Sequence, residues 1–333
     1  MNLHPVSLDE LRAALSAANA QRERLTTVDR QAFTRVVEYQ PADMTVTAEA
    51  GLTLAALQAR LAEHGQWLPV DPSGADRMTL AGLLNTNASG PRRFGYGTLR
   101  EHLLGLRIAL ADGRVIKSGG KVVKNVAGYD LLKLFVGSHG TLGVIVEATF
   151  KVRPLPEREE FVATPCSTFD QAAAVIEAVL GSELTPVVLD LHNVPERSLQ
   201  AASASEVERA SKRPEGRAPF TLVLGFAGTR EEVEWQTAKV AGLCKAERAS
   251  LDYDQHFWRN GSTGPVQRLS VLPSRLASAL PTLEAAEFVA RAGNGVIYYR
   301  GGPPPPKTEV PAALTRRVKD IFDPNHVFPE LPL

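Results

Sequence analysis

Glycines recur every third residue in the stretch GSHGTLGVI, at Gly137, Gly140 and Gly143. A glycine in an ordered element costs roughly 0.5–1 kcal/mol relative to alanine, so a cluster indicates positive backbone φ angles or a ligand lying against the backbone. Ser138 adds a hydroxyl group that can hydrogen-bond such a ligand. A phosphate-bearing cofactor and a glycine-rich turn both remain open for this stretch.

A second glycine-containing segment lies upstream, DPSGADRMTLAGLLNTNASGPRRFGYGTLREHLLG. Its glycines alternate with short hydroxyl and amide side chains, which offer backbone N–H groups and small donors without bulk. This composition suits a pyrophosphate or the edge of a flavin. Arg92 and Arg93 are interpreted either as phosphate ligands or as solvated charges. Neither segment carries GxGxxG after a strand, so a Rossmann site is not indicated.

Periodicity predicts mixed helices and strands around these segments. Ser7 and Glu10 form a capping box ahead of an amphipathic helix. Apolar residues alternate in 103–117 and 144–152, and Asp112–Gly113 supplies a hairpin turn, which predicts antiparallel strands. Helical and strand patterns also alternate beyond residue 156, as in an α+β sandwich. The polar stretch 195–219 is interpreted as a loop or a mobile helix.

Composition excludes several classes of protein. The 333 residues include 37 basic and 37 acidic ones, so no net charge favours nucleic acid or an anionic membrane. Cys166 and Cys244 form no CxxC pattern, which argues against a disulfide framework, an iron–sulfur cluster or a metal site. No signal peptide and no run of ~18 apolar residues is present, so a cytoplasmic protein without a transmembrane segment is predicted.

Three longer stretches resemble a known family. They are TLAGLLNTNASGPRRFGYGTLREHLLGLRI, KVVKNVAGYDLLKLFVGSHGTLGVI and the terminal IFDPNHVF. They are similar to the FAD-binding oxidoreductases of the vanillyl-alcohol oxidase type, the PCMH fold. Within that family they look most like the second flavin-type subunits of bacterial glycolate oxidases.

The resemblance implies an α+β fold with FAD as cofactor. Residues 1–155 would form the FAD-binding PCMH-type domain, built of two α+β subdomains. Residues 156–310 would form an α+β cap on the substrate side, and residues 311–333 would return to the FAD domain. Carried over by motif, the cofactor-binding residues are Thr79, Gly82, Asn87, Ser89, Gly90, Gly137, Ser138, Gly140, Thr141, Gly143 and Ile145.

Two features depart from the family pattern. Relatives carry a glycine-rich phosphate loop after the first helix, whereas this chain has no glycine from Asn2 to Gln40. Relatives also place a histidine cluster and an arginine over the flavin, but the seven histidines here form no HxxH group. Four residues of the stretch RAGNGVIYYRGG, residues 291–302, are interpreted either as flavin-facing or as ordinary strand residues. They are Asn294, Tyr298, Tyr299 and Arg300. No catalytic residue is predicted, and His139 is interpreted as structural.

Two functional hypotheses follow. The first is an FAD-dependent subunit that helps oxidise glycolate or a related small 2-hydroxy acid, beside a sister flavoprotein and an iron–sulfur subunit. The second is a scaffold or interaction subunit that keeps the fold but has lost FAD. The glycine motifs favour the first hypothesis, and the missing loop and histidines favour the second. Whether the chain by itself is an enzyme stays open.

Overall fold

The computed structural model describes residues 1–120, 131–195, 219–259, 264–306 and 312–330. The chain forms two compact units. Unit 1 comprises Met1–Ser89, Thr98–Leu155 and Lys307–Leu333, and unit 2 comprises Gly90–Gly97 and Pro156–Pro306. Most of the polar stretch 195–219 and the KVVKNVAGYD part of the second family motif lie outside the described residues.

Unit 1 is built on a five-stranded antiparallel sheet in the order β3-β4-β8-β6-β7. The strands of unit 1 are β1 (Asn2–Leu3), β2 (Thr27–Val28), β3 (Val36–Gln40), β4 (Thr45–Glu49), β5 (Gln66–Trp67), β6 (Leu103–Ala109), β7 (Val115–Gly119), β8 (Val144–Lys151) and β9 (Arg153–Pro154). Helices are numbered along the whole chain, and those of unit 1 are α1 (Leu8–Gln21), α2 (Leu54–Ala62), α3 (Leu80–Thr86), α5 (Leu99–His102), α6 (Leu132–Phe135) and α11 (Ala312–Phe322).

The two faces of this sheet carry different helices. On one face, leucines of α2 and α3 such as Leu57 and Leu83 are fully buried in a core that includes Ile145 of β8. On the other face, Leu11 and Leu15 of α1 pack with Val146 of the same strand. Side chains alternate between the faces of a strand, so neighbouring residues of β8 belong to different cores.

Local sequence signals account for several of these elements. The Ser7 hydroxyl accepts the Glu10 N–H at 3.2 Å and begins α1. Between β6 and β7, Gly113 adopts φ +78° and the Asp112 carboxylate accepts the Arg114 N–H at 2.9 Å. The predicted antiparallel pairing of the strands within 103–117 and 144–152 is confirmed.

Unit 2 is a seven-stranded antiparallel sheet in the order β13-β10-β12-β11-β15-β16-β14. Its strands are β10 (Arg158–Cys166), β11 (Val188–His192), β12 (Phe220–Gly228), β13 (Glu247–Arg248), β14 (Gln267–Ser270), β15 (Glu287–Arg291) and β16 (Val296–Arg300). Its helices are α4 (Arg93–Tyr96), α7 (Phe169–Leu180), α8 (Arg230–Leu243), α9 (Asp252–Arg259) and α10 (Leu276–Thr282).

One face of this sheet packs against α7, α8 and α10, and the other carries α9. The segment 90–97 also belongs to unit 2, although its chain neighbours on both sides belong to unit 1. Phe94 explains this placement, because its ring covers Gly293 so closely that a Cβ there would lie 2.2 Å away. Within the described ranges, no helix has the length and apolar character needed to cross a bilayer.

Candidate cofactor site

The two glycine-containing segments meet in unit 1. The N–H of Gly137 donates to the carbonyl of Leu84 at 2.8 Å, and the N–H of His139 donates to the carbonyl of Asn85 at 2.9 Å. Residues 137–143, here called the glycine turn, therefore lie directly beside the end of α3. The structure thus brings together most of the residues that the sequence nominated.

Helix α3 is defined by two of those residues. The hydroxyl of Thr79 accepts the N–H of Gly82 at 3.1 Å and caps the first turn. Asn87 ends the helix in the left-handed region at φ +49°, where its N–H donates to the carbonyls of Leu83 and Leu84. Asparagine tolerates this conformation better than most residues, so the fold by itself explains both positions.

The fold also explains the glycines of the glycine turn. Gly137 and Gly140 adopt φ angles of +80° and +74°, which side-chain-bearing residues rarely adopt. Gly143 has a different reason, because a Cβ at that position would lie 2.7 Å from Cγ2 of Ile108. Backbone geometry and packing therefore suffice for these three positions.

Gly82 is different. It lies within α3, where glycine costs about 1 kcal/mol relative to alanine, and its φ is not positive. A Cβ there would meet the hydroxyl of Thr79 at 3.4 Å and the side chain of Met78 at 3.8 Å, which is ordinary contact. None of its neighbours in the described ranges requires a glycine, so this position favours a ligand against the helix.

At the junction of the segments, two buried polar atoms have no hydrogen-bond partner within the described ranges. They are Oγ of Ser138 and Oδ1 of Asn85. A buried polar atom without a hydrogen bond costs about 1–3 kcal/mol. The polar edge of a bound cofactor would offset that cost, so these atoms fit a flavin, whose ring edge carries both donors and acceptors.

The other nominated residues offer fewer unengaged polar groups to a ligand. Thr141 is fully buried and its hydroxyl donates to the carbonyl of Ser138 at 2.8 Å. Ile145 is fully buried in the core beneath α3. The backbone of Thr141 is engaged as well, since its N–H donates to the carbonyl of Ser138 at 3.1 Å and its own carbonyl accepts from Lys319. Ser89 is partly buried at the end of a unit 1 segment, and Gly90 is buried in unit 2.

Arg92 does not act as an unpaired phosphate ligand. Its side chain is only 18% exposed, and its Nε donates to the carboxylate of Glu159 at 2.7 Å while Nη2 donates to the other oxygen. The guanidinium also lies over the ring of Phe161. The interpretation of Arg92 as a solvated charge is therefore wrong, because it forms a partly buried ion pair within unit 2, whereas its interpretation as a phosphate ligand stays a prediction.

A lysine from α11 holds the glycine turn in place. Nζ of Lys319 donates to the carbonyl of Thr141 at 2.7 Å and to the carboxylate of Asp323 at 2.6 Å. The same nitrogen contacts the carbonyl of Phe328 at 3.1 Å, and the whole cluster is buried. The spacing of Lys319 and Asp323 places both on one helix face, but the sequence does not reveal the carbonyl that they reach.

Replacing Lys319 by methionine should lower the free energy of unfolding by about 2–3 kcal/mol. The carboxylate of Asp323 would lose its cation while the backbone N–H groups of Val327 and Phe328 continue to bind it, so the loss stays below the usual range for a broken buried pair. Urea unfolding measures the change. Lys239→Met breaks a partly exposed pair with Glu183 and should cost less than about 1 kcal/mol. Equal effects of the two variants would contradict the role given to Lys319.

Unit 2 contains a buried charge cluster that sequence analysis missed. The guanidinium of Arg291 donates to the carboxylates of Asp190 and Asp254, and all three side chains are at most 5% exposed. The hydroxyl of Tyr253 donates to Asp190 at 2.5 Å. Burial raises the pKa of Asp190 to about 6, although Arg291 opposes this shift. A signal was present, since Asp190 and Arg291 each interrupt an apolar strand.

The residues of RAGNGVIYYRGG are placed on both faces of the unit 2 sheet. Tyr299 is fully buried in the core, and its hydroxyl donates to the carbonyl of Pro303 at 2.9 Å. Tyr298 lies on the opposite face against Trp258. The guanidinium of Arg300 is buried, donates to the carbonyls of Gly264 and Phe257, and contacts no carboxylate among the described residues. Tyr299 is therefore an ordinary core residue, while Arg300 is a buried cation.

Comparisons with known proteins place this geometry in a family. The model described as FAD binding domain matches residues 12–119, and the model described as FAD linked oxidases, C-terminal domain, matches residues 155–259. The structure of an alkyldihydroxyacetonephosphate synthase superposes with a TM-score of 0.72 over 98% of this chain and 75% of that one, at 17% identity. That likeness concerns the fold alone, and it confirms the predicted α+β fold of the PCMH type.

Proteins with similar sequences support the same family assignment. Glycolate oxidase subunit GlcD of Bacillus subtilis is 31% identical over 63% of this chain and 44% of its own length. D-lactate dehydrogenase of Archaeoglobus fulgidus is 37% identical over 62% of this chain and 45% of its own length. Glycolate oxidase subunit GlcE of Escherichia coli is 40% identical over 39% of this chain and 37% of its own length. The matches span less than half the length of these relatives.

The chain belongs to the FAD-binding PCMH-type oxidoreductases, as the resemblance in its motifs predicted. It is an FAD-linked relative of glycolate oxidase subunits and D-lactate dehydrogenases, and FAD is its cofactor. The unpartnered atoms of Ser138 and Asn85 and the unexplained Gly82 fit that cofactor. The contribution of each nominated residue to FAD binding stays a prediction.

Replacing Gly82 by alanine should separate stability from cofactor binding. Alanine favours the helix and should raise the free energy of unfolding by about 0.5–1 kcal/mol, whereas the added methyl group should weaken FAD binding if the cofactor lies against α3. Denaturant unfolding and FAD titration measure the two effects. Gly242→Ala in α8, which also has open space, should change stability alone. Unchanged FAD affinity in Gly82→Ala would remove Gly82 from the site.

Proposed function

We propose that this chain is the FAD-carrying subunit of an assembly that oxidises glycolate or a related small 2-hydroxy acid such as D-lactate. The observation that carries the proposal is the junction of α3 with the glycine turn, where Gly82 and the unpartnered Ser138 and Asn85 atoms suit a flavin. The substrate class is supported by the names of the relatives, two glycolate oxidase subunits and a D-lactate dehydrogenase.

The reaction requires three contributions from the protein. A 2-hydroxy acid becomes a 2-oxo acid when its carbinol carbon loses a hydride and its hydroxyl group loses a proton. FAD supplies the acceptor of the hydride when it is bound. The protein must hold the cofactor, orient the substrate carboxylate with a cation and take up the proton.

Unit 2 offers Arg300 as a buried cation whose N–H donors are only partly used. Among the described residues, the buried Arg291 is already bound by two aspartates, whereas Arg300 donates only to backbone carbonyls and its Nε has no partner. A guanidinium in this state is suited to a carboxylate because it presents several parallel N–H donors. We assign no proton acceptor within this chain.

The assembly would include a sister flavoprotein and an iron–sulfur subunit. Support for an assembly comes from the relatives GlcD and GlcE, both of which are named as subunits of glycolate oxidase. The sister flavoprotein would contribute a second FAD, and the iron–sulfur subunit would carry electrons away. The alternative is an interaction subunit without FAD, which the absence of glycine from residues 2–40 favours.

A spectroscopic experiment tests the proposal. The full chain is incubated with FAD, separated from free cofactor, and then mixed anaerobically with glycolate or D-lactate in the presence of its co-expressed partner subunits. We expect retained visible flavin absorbance that bleaches when the substrate is added. Colourless protein after reconstitution would support the interaction subunit instead, and retained flavin that neither acid bleaches would contradict the substrate class.

A further inference from the structure

Arg30 lies between β2 and β3 with most of its donors unengaged. Its Nη1 donates to the carbonyl of Val28 at 3.2 Å, and its Nε is enclosed by protein without a hydrogen-bond partner in the part of the chain that the structure describes. The adjacent carboxylate of Asp29 does not bind it, because that carboxylate accepts the N–H of Gln31 at 2.9 Å and faces His4 at 3.4 Å.

In the described part of unit 1, the other enclosed cations are hydrogen-bonded to a carboxylate, whereas the guanidinium of Arg30 is not. Within the described ranges, the partly buried Arg107 pairs with Glu147 at 3.2 Å, and the buried Lys319 pairs with Asp323 at 2.6 Å. Burial lowers the pKa of Arg30, because the charged guanidinium is poorly solvated and the nearby charge of Asp29 compensates for only part of the lost water. An anionic ligand at this guanidinium would restore that compensation.

The backbone of Arg30 packs on the segment that holds the start of α3. Its carbonyl oxygen lies against Gly51 so closely that a Cβ there would be 1.9 Å away. The residues on either side of Gly51 bind the start of α3, since the carbonyls of Ala50 and Leu52 accept the N–H groups of Ala81 and Leu80 at 2.7 and 2.9 Å. Arg30 and the helix that contains Gly82 therefore pack on the same three-residue segment.

We propose that the guanidinium of Arg30 binds the pyrophosphate of FAD. A pyrophosphate carries two negative charges, and a glycine-free stretch from residue 2 to residue 40 offers it no glycine-rich loop of N–H donors. One guanidinium can replace several such donors because its N–H groups form a fork that matches phosphate oxygens. This inference rests on the proposed function, in which unit 1 binds FAD.

The test compares two flavins on variants of the full chain. FAD and riboflavin, which lacks phosphate, are titrated by flavin fluorescence into apoprotein carrying Arg30→Met, Arg30→Lys or no substitution. Arg30→Met should weaken FAD binding by about 10- to 100-fold, the usual loss for a charge-assisted contact, and leave riboflavin binding unchanged. Arg30→Lys, which keeps the charge but not the fork, should lie between wild type and Arg30→Met.

The matched control is Arg114→Met, which removes a 74% exposed arginine of the same unit and should change neither affinity. Unaltered FAD affinity in Arg30→Met would overturn the inference while the proposed function stands. Equal losses for FAD and riboflavin would also overturn it, because they would indicate a structural role for Arg30. Failure of the wild-type chain to bind FAD would overturn the proposed function and this inference with it. Should Arg30→Met fail to fold, Arg30→Lys gives the same comparison.

Discussion

Replacing Arg291 by methionine should lower the free energy of unfolding by about 3–5 kcal/mol, the usual cost of removing one partner from a buried ion pair. The guanidinium is 3% exposed and serves two carboxylates that are 1% and 5% exposed. Without it, Asp190 and Asp254 would face each other in the interior of unit 2 with no cation. Urea unfolding followed by tryptophan fluorescence measures the loss, since Trp258 donates to Asp254 at 3.2 Å.

Arg248→Met is the matched control for this prediction. Arg248 is 87% exposed and lies 3.5 Å from the carboxylate of Glu160 on the same sheet. Exposed pairs contribute at most about 1 kcal/mol because water and salt screen them. A loss below about 1 kcal/mol in Arg291→Met would mean that the cluster is not a buried ion pair in solution.

The same cluster gives stability a defined pH dependence. The folded pKa of Asp190 is about 6, above the ordinary value of 3.8, so the folded protein holds this proton more tightly than the unfolded chain does. Its contribution to stability is therefore fully present below about pH 4 and is lost as the pH rises through 6. The destabilisation by Arg291→Met should shrink as the pH falls through this range, because protonation neutralises the buried Asp190 carboxylate that has lost its cation. Asp190→Asn, which cannot titrate, should flatten this part of the profile.

The isolated, FAD-reconstituted chain should oxidise glycolate at least ~10²–10⁴-fold more slowly than the assembled complex, the factor usually attributed to a general base. Arg300 offers a cation, but no proton acceptor for the substrate hydroxyl is identified among the described residues. His192 is buried, stacks on the ring of Tyr253 at 4.2 Å, and its Nδ1 already accepts the N–H of Val194. His139 is exposed, and its backbone N–H donates to the carbonyl of Asn85 at 2.9 Å.

An artificial-acceptor dye assay with glycolate or D-lactate measures this difference, run with and without the partner subunits. Riboflavin in place of FAD serves as a control for turnover by loosely bound flavin. Rapid turnover by the chain alone would contradict the accessory-subunit proposal and would locate the base in residues 156–300.

The sequence by itself determined the features that depend on local residue types. Helix α1 begins where Ser7 provides a capping hydroxyl, and β6 and β7 are joined where Asp112–Gly113 provides a turn. Motif resemblance also predicted the family, the α+β fold and FAD, because long motifs carry more information than single residues. Local patterns could not separate Gly82 from the glycines whose φ angle or packing requires them, since that distinction depends on the neighbours of each Cβ.

Only the tertiary structure decided which charged residues meet. Arg291 binds Asp190 across 101 positions and Asp254 across 37, and Lys319 reaches the carbonyl of Thr141 across 178. The same holds for segment 90–97, whose membership in unit 2 depends on the packing of Phe94 against Gly293. Partners of this kind are set by where distant elements pack, and a charged residue type does not reveal whether its partner will be a carboxylate, a carbonyl or a bound cofactor.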